Sequence, residues 1–72
     1  MKTIQISRAR SGMLFKPLNR PKLGLCTVIY KGLPRHVDQN FQVVRLVYLS
    51  SNGRLRDEEV GTRYNVEVPD DG

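Results

Sequence analysis

The stretch that most constrains this chain is residues 41–49, Phe41-Gln42-Val43-Val44-Arg45-Leu46-Val47-Tyr48-Leu49. It is rich in β-branched and aromatic residues and holds neither glycine nor proline, so it reads as a strand. At period two, one face carries Phe41, Val43, Arg45, Val47 and Leu49, and the other carries Gln42, Val44, Leu46 and Tyr48. Both faces are mostly apolar, which predicts a central strand covered on two sides. In a chain of 72 residues, everything else must pack on this strand or hang from it. A chain this short makes one domain and buries only about 60% of its unfolded surface.

The flanking segments predict further strands. Residues 1–7 alternate, with Ile4 and Ile6 toward the core, and residues 25–31 form a second apolar strand. Residues 32–40 are long for a hairpin loop and form either a turn or a projecting binding loop. Asn52-Gly53 is the signature of a type I′ hairpin turn, returning the chain through Arg54-Leu55-Arg56. Three consecutive acids, Asp57-Glu58-Glu59, resist a strand and favour a turn or one helical turn. Residues 62–68 alternate again, Thr62, Tyr64, Val66 and Val68 against Arg63, Asn65 and Glu67, as a half-buried edge strand. Met13-Leu14-Phe15 is a brief apolar anchor, and Pro17, Pro21 and Gly24 argue against regular structure over residues 16–24.

The fold expected is mainly β: a small antiparallel sheet of four or five strands, half-barrel-like, with one short helical turn. Its expected core is Ile4, Ile6, Leu25, Thr27, Ile29, Val43, Val44, Leu46, Val47, Tyr64, Val66 and Val68. The domain spans residues 1–68, with a basic, proline- and glycine-containing segment at 7–24, and residues 69–72 make a flexible polar tail.

The net charge of +5 is unevenly placed. Lys2, Arg8, Arg10, Lys16, Arg20 and Lys22 precede residue 25 without a single acid, and all seven acids follow it. A one-sign segment of this kind attracts polyanions or an acidic protein surface. The candidate partner- or phosphate-binding residues are therefore Arg8, Arg10, Lys16, Arg20 and Lys22, with Arg54 and Arg56 as a secondary basic patch. Phe15 beside Lys16 and Tyr30 beside Lys31 are candidate stacking pairs for a single strand, with burial in the core as the competing assignment.

No catalytic residue, metal or cofactor is expected. Cys26 alone cannot close an internal disulfide, and His36 cannot complete a zinc site with it. A lone cysteine in an apolar strand reads as a small buried hydrophobe, as suits a reducing cytoplasm. His36 has Asp38 two residues on to orient it but no Ser or Cys beside it in sequence, and reads as a surface-loop histidine. The acid triplet lacks the alternate-ligand spacing of a calcium loop. No signal-like apolar run follows Lys2, and no segment approaches the ~20 apolar residues of a membrane helix. A soluble protein, monomeric when free and stabilised in part by its partner, is expected.

The basic, proline-punctuated segment from Ser7-Arg8-Ala9-Arg10-Ser11 to Arg20-Pro21-Lys22 sits on a domain of small size and positive charge. In that layout the chain resembles the small host-takeover proteins of bacteriophages, in particular RNA-polymerase-binding transcription regulators such as that of a lytic Xanthomonas phage. The resemblance implies a non-enzymatic protein in the bacterial cytoplasm that docks on RNA polymerase. It further implies inhibition of initiation by displacing sigma, and antitermination at the RNA exit channel. The basic third would then lie near nascent RNA, promoter DNA or acidic polymerase surface. The likeness is one of layout and scale and transfers no functional residue. Two other readings stand beside it: a direct RNA- or DNA-binding β domain, and a phage inhibitor of another host system, such as an anti-CRISPR protein.

Overall fold

The computed structural model describes residues 2–69, so Met1 of the expected first strand and residues 70–72 of the expected tail lie outside the described residues. Seven strands form: β1 (Lys2–Gln5), β2 (Leu14–Pro17), β3 (Cys26–Lys31), β4 (Arg35–Asp38), β5 (Phe41–Ser50), β6 (Leu55–Gly61) and β7 (Asn65–Val68). Two 3-10 turns, Ile6–Arg8 and Pro21–Leu23, complete the described elements. Every pairing is antiparallel, in the order β1-β7-β2-β3-β5, with β4 and β6 also on β5. The sheet curls into a half-barrel, the mainly β architecture that the sequence predicts. It has more strands than the four or five expected, because β2 and β4 form where an anchor and a loop were anticipated.

Strand β5 is the centre of the sheet. Strands β3 and β4 lie end to end along one of its edges, from Cys26↔Ser50 to Asp38↔Phe41, and β6 lies along the other. Residues 32–40 are thus mostly a hairpin arm, closed at Gln39-Asn40, where the Asn40 N–H donates to Asp38 Oδ1 at 2.8 Å. The Gly32 N–H still donates to the Arg45 carbonyl at 2.9 Å, and Leu33-Pro34 leave the ladder: Pro34 has no N–H to give it, and Leu33 is 90% exposed.

Strand β5 is covered on one face, not two. Val44, Leu46, Tyr48 and Ser50 point into the half-barrel and are buried. On the other face Val43 is buried and Val47 half-buried, but Phe41, Arg45 and Leu49 are exposed. The chain spends its length on strands of a single layer, and no second layer remains to cover the convex side. Strand β3 shows the same correction. Its inward residues are Cys26 and Val28, whereas the expected Leu25 and Thr27 are half-buried and Ile29 is exposed at a bulge between Val28 and Tyr30. A strand's period of two leaves the choice of face open, and the bulge shifts it partway along.

Phe15, expected as an anchor, is core: it is 1% exposed and meets Tyr48 edge-to-face, with centroids 5.2 Å apart. Ile6, Val44, Leu46, Val66 and Val68 are buried as expected, and Ile4 and Tyr64 pack against them. Residues 16–24 are more regular than expected. Lys16 and Pro17 continue β2, and Pro21 opens a 3-10 turn at a position where its missing N–H costs nothing.

The acid triplet lies in the middle of β6, because each acid meets a cation there. Arg45 reaches Asp57 at 2.6 Å and Arg35 reaches Glu59 at 2.7 Å, both across strands, while Glu58 faces inward. Opposite charges on β5 and, across it, on β4 thus offset the low strand propensity of Asp and Glu. The turn before β6 is not type I′. Gly53 has φ of +90°, but no non-glycine among the described residues has positive φ, so Asn52 stays in the ordinary region. The Gly53 N–H donates to the Ser50 carbonyl at 3.0 Å and the Ser50 N–H to the Arg54 carbonyl at 2.8 Å. This is a three-residue hairpin loop, in which only the glycine must be left-handed. Strand β7 begins at Asn65 after a turn at Thr62-Arg63 and lies between β1 and β2, so it is not an edge. No helix among the described residues is long and apolar enough to cross a membrane.

Candidate functional site

The convex face carries a row of exposed leucines. Cross-strand register places Leu14 opposite Thr27, Thr27 opposite Leu49, and Leu49 opposite Leu55. Because paired residues point to the same side of a sheet, these four form one row across β2, β3, β5 and β6. The row crosses three inter-strand spacings, about 14 Å. Its leucines are open to solvent: Leu14 is 43%, Leu49 39% and Leu55 64% exposed.

Next to this row the face is polar and internally neutralised. Each guanidinium grips its carboxylate with two nitrogens: Arg45 Nε and Nη2 donate to Asp57 at 2.9 and 2.6 Å, and Arg35 Nε and Nη2 donate to Glu59 at 2.9 and 2.7 Å. These hydrogen bonds hold the carboxyls of Asp57 and Glu59 below the usual carboxylate range. Tyr30 is half-exposed, with the Arg45 guanidinium carbon 5.9 Å from its ring centroid. Of the two candidate stacking pairs, Tyr30 stays accessible and Phe15 does not.

The predicted basic residues separate into groups. Arg20 and Arg56 turn to the half-buried Glu58, at 3.3 and 3.4 Å, and Tyr48 donates its hydroxyl to the same carboxylate at 3.1 Å. This cluster sits beside the core, and Tyr64 donates to Asn19 nearby. Burial, and then the Glu58 charge, push the Tyr48 phenol well above its ordinary range. Arg20 and Arg56 are thus held by the domain's own Glu58, apart from the cations at the β1 end of the sheet. Lys16 lies opposite Glu67 in the β2–β7 register, Lys22 is exposed on its 3-10 turn, and Arg54 is exposed beside the hairpin loop.

Arg8 and Arg10 lie near the sheet end that carries β1. Arg8 lines a shallow depression with Thr3, Gln5 and Asn65. Arg10 and Lys2 flank a groove of about 670 Å3, which also includes Met13, Leu14, Val68 and Pro69. Lys31 stands close to this corner: its ammonium donates to the Ser7 carbonyl at 2.7 Å, and burial and the Arg10 charge lower its pKa. The pairing of Lys2 with Arg10 is invisible in sequence. It depends on β1 pairing with β7, Lys2 opposite Val68, at opposite ends of the chain.

The remaining reactive groups are accounted for structurally. Cys26 is fully buried, and burial raises its thiol pKa, so the nucleophilic thiolate is disfavoured. The His36 ring lies 3.3 Å from the Asp38 backbone carbonyl and 3.3 Å from the Gln42 amide, while the Asp38 carboxylate accepts from Asn40 instead of orienting the imidazole. Among the described residues, no group of three or more His, Cys, Asp and Glu side chains could hold a metal ion. What the surface offers is contact: an aliphatic row, an exposed tyrosine, and cations that the described acids do not offset. No protein-family model matches the chain, and no curated protein sequence matches it.

Proposed function

We propose that this chain is a non-enzymatic docking protein that binds bacterial RNA polymerase and regulates transcription. The convex sheet face contacts the protein partner. The basic N-terminal third then lies beside nucleic acid or an acidic surface of the enzyme. The observation that supports a protein partner is the exposed row Leu14, Leu49 and Leu55. Leucines from three strands, in line with Thr27 of β3, have little to offer phosphate or a nucleobase, but they suit the apolar centre of a protein interface. A standard interface takes about 800 Å2 from each partner. One face of a molecule with 4995 Å2 of accessible surface can supply that. The choice of polymerase rests on the layout shared with the phage regulators, and the burial of Phe15 weighs against a single-strand stacking platform.

The test is capture of purified polymerase by the full chain after nuclease treatment, together with a purified transcription assay. The expected result is a nuclease-resistant complex and altered promoter or terminator output. Both effects should be lost in Leu49→Asp and Leu55→Asp variants that retain the parental circular dichroism spectrum. If no complex forms and excess protein leaves transcription unchanged, the polymerase assignment fails. Nuclease-sensitive capture with a steep salt slope on bare RNA or DNA would instead favour the direct nucleic-acid reading, to which Tyr30 would contribute.

A further inference from the structure

The groove at the β1 and β7 end of the sheet carries an inference beyond a generic docking face. Its floor is aliphatic, formed by Met13, Leu14, Val68 and Pro69, and its charged lining residues are Lys2 and Arg10. No carboxylate lines it among the described residues. Its volume is about 670 Å3, and it opens to solvent along the sheet end.

The wall that presents Arg10 is a tied turn. The Met13 N–H donates to the Arg10 carbonyl at 3.1 Å, and Gly12, at φ of +88°, takes the left-handed position that such a turn requires. The turn is fastened to β3 on both sides, by Gly12 N–H to the Val28 carbonyl at 2.7 Å and by Val28 N–H to the Met13 carbonyl at 2.8 Å. Arg10 is therefore presented from fixed backbone, which limits the entropy lost when a ligand binds. Leu14 belongs both to the groove and to the convex leucine row, so a partner seated on the row can reach into the groove.

The lining selects its ligand by two features together. Lys2 and Arg10 call for anionic groups, and the aliphatic floor calls for an apolar side chain between them. Among the described residues the groove has no aromatic platform, so a nucleobase gains no stacking there, and a bare phosphate leaves the floor unused. Met13 adds a flexible thioether that adapts to side chains of different shape. We propose that this groove binds an acidic peptide segment of the protein partner, with one aliphatic side chain on the floor and flanking carboxylates on Lys2 and Arg10. The assignment rests on the protein-docking reading above and names the chemistry of the segment recognised.

The experiment is fluorescence anisotropy of the full chain with three labelled probes. These are a short peptide of glutamates flanking two leucines, the same peptide with serines for leucines, and a single-stranded oligothymidine. The glutamate–leucine peptide should bind most tightly. The double variant Lys2→Glu/Arg10→Glu should weaken it about tenfold or more, the sum of two exposed ion pairs, and Lys2→Ala/Arg10→Ala should weaken it less. Leu14→Ser should weaken the leucine peptide but not the serine peptide. If the serine peptide or the oligothymidine binds as tightly as the leucine peptide, with equal sensitivity to Lys2 and Arg10, the groove is a plain polyanion site and the assignment is overturned. Binding that ignores the Lys2 and Arg10 variants overturns it too. Because the peptides are measured against the chain alone, failure to capture polymerase leaves this result standing. Failure of peptide binding with polymerase capture intact removes the groove assignment alone.

Discussion

Replacing Phe15 with alanine tests the architecture at its most informative point. The side chain is 1% exposed and lies edge-to-face on Tyr48, with ring planes at 74°. Its strand contributes only four residues to the sheet, and Phe15 pairs with Cys26 in the β2–β3 register. Emptying a buried phenylalanine site costs about 3–5 kcal/mol, the aromatic pair included. At ~0.05–0.15 kcal/mol per residue, a domain of 72 residues holds about 4–11 kcal/mol in all. Phe15→Ala thus removes about a quarter of the stability at the least and more than all of it at the most. Phe15→Leu keeps an apolar filling and should cost about half as much. Urea denaturation followed by circular dichroism reads the difference. With a slope near 1 kcal/mol per molar, as suits a small domain, the alanine variant's midpoint should fall by about 3 M or the variant should be unfolded from the start. A Phe15→Ala midpoint within ~0.5 M of the parent would refute the reasoning. It would place Phe15 outside the core, break the β2–β3 register, and restore it as an accessible stacking residue.

Further outcomes separate the two faces of the sheet and test the ion pairs. Val44→Asp should abolish cooperative thermal unfolding by burying a carboxylate, whereas Val47→Asp on the half-buried convex face should leave a transition that equilibrium melting can still measure. Cys26 should react with Ellman's reagent only after denaturation, and rapid labelling of native protein would contradict its burial. The carboxyls of Asp57 and Glu59 are lowered by Arg45 and Arg35, so the stability they add is present above the ordinary carboxylate range. That stability is lost as pH falls through their depressed values. The melting temperature should therefore drop between about pH 4 and pH 2, and drop less in Arg35→Ala/Arg45→Ala. The Tyr48 phenol is raised in the fold, so its contribution is complete below about pH 10 and is lost as pH climbs above that. Tyr48→Phe should flatten this alkaline limb in a melting series.

The apolar run at residues 41–49, with the apolar or alternating segments at 1–7, 25–31 and 62–68, was enough to indicate a half-barrel-like antiparallel sheet. Local chemistry also identified Cys26 as buried and Gly53 as the pivot of a hairpin. Local reading failed where a residue's role depended on something far away in sequence. Asp57-Glu58-Glu59 looked unfit for a strand because each acid was judged alone, yet Arg45 from β5 and Arg35 from β4 reach two of them in the folded sheet. Phe15, followed by Lys16 and Pro17, could be read as a stacking residue or as core until β2 paired with β3 and set its ring edge-to-face with Tyr48. The six early cations looked like one patch. In the fold Arg20 turns to Glu58, while Lys2 and Arg10 line one groove.

The sequence by itself determined that this chain forms strands, where its longest one runs, and that an excess of positive charge lies in its first third. Those properties follow from side-chain type and local order. Only the tertiary structure decided which face of each strand is buried, because a period of two serves either face equally well. It also decided which cations share a surface. That depends on pairings such as Lys2 opposite Val68, which no local pattern encodes and which form only when the two ends of the chain meet in one sheet.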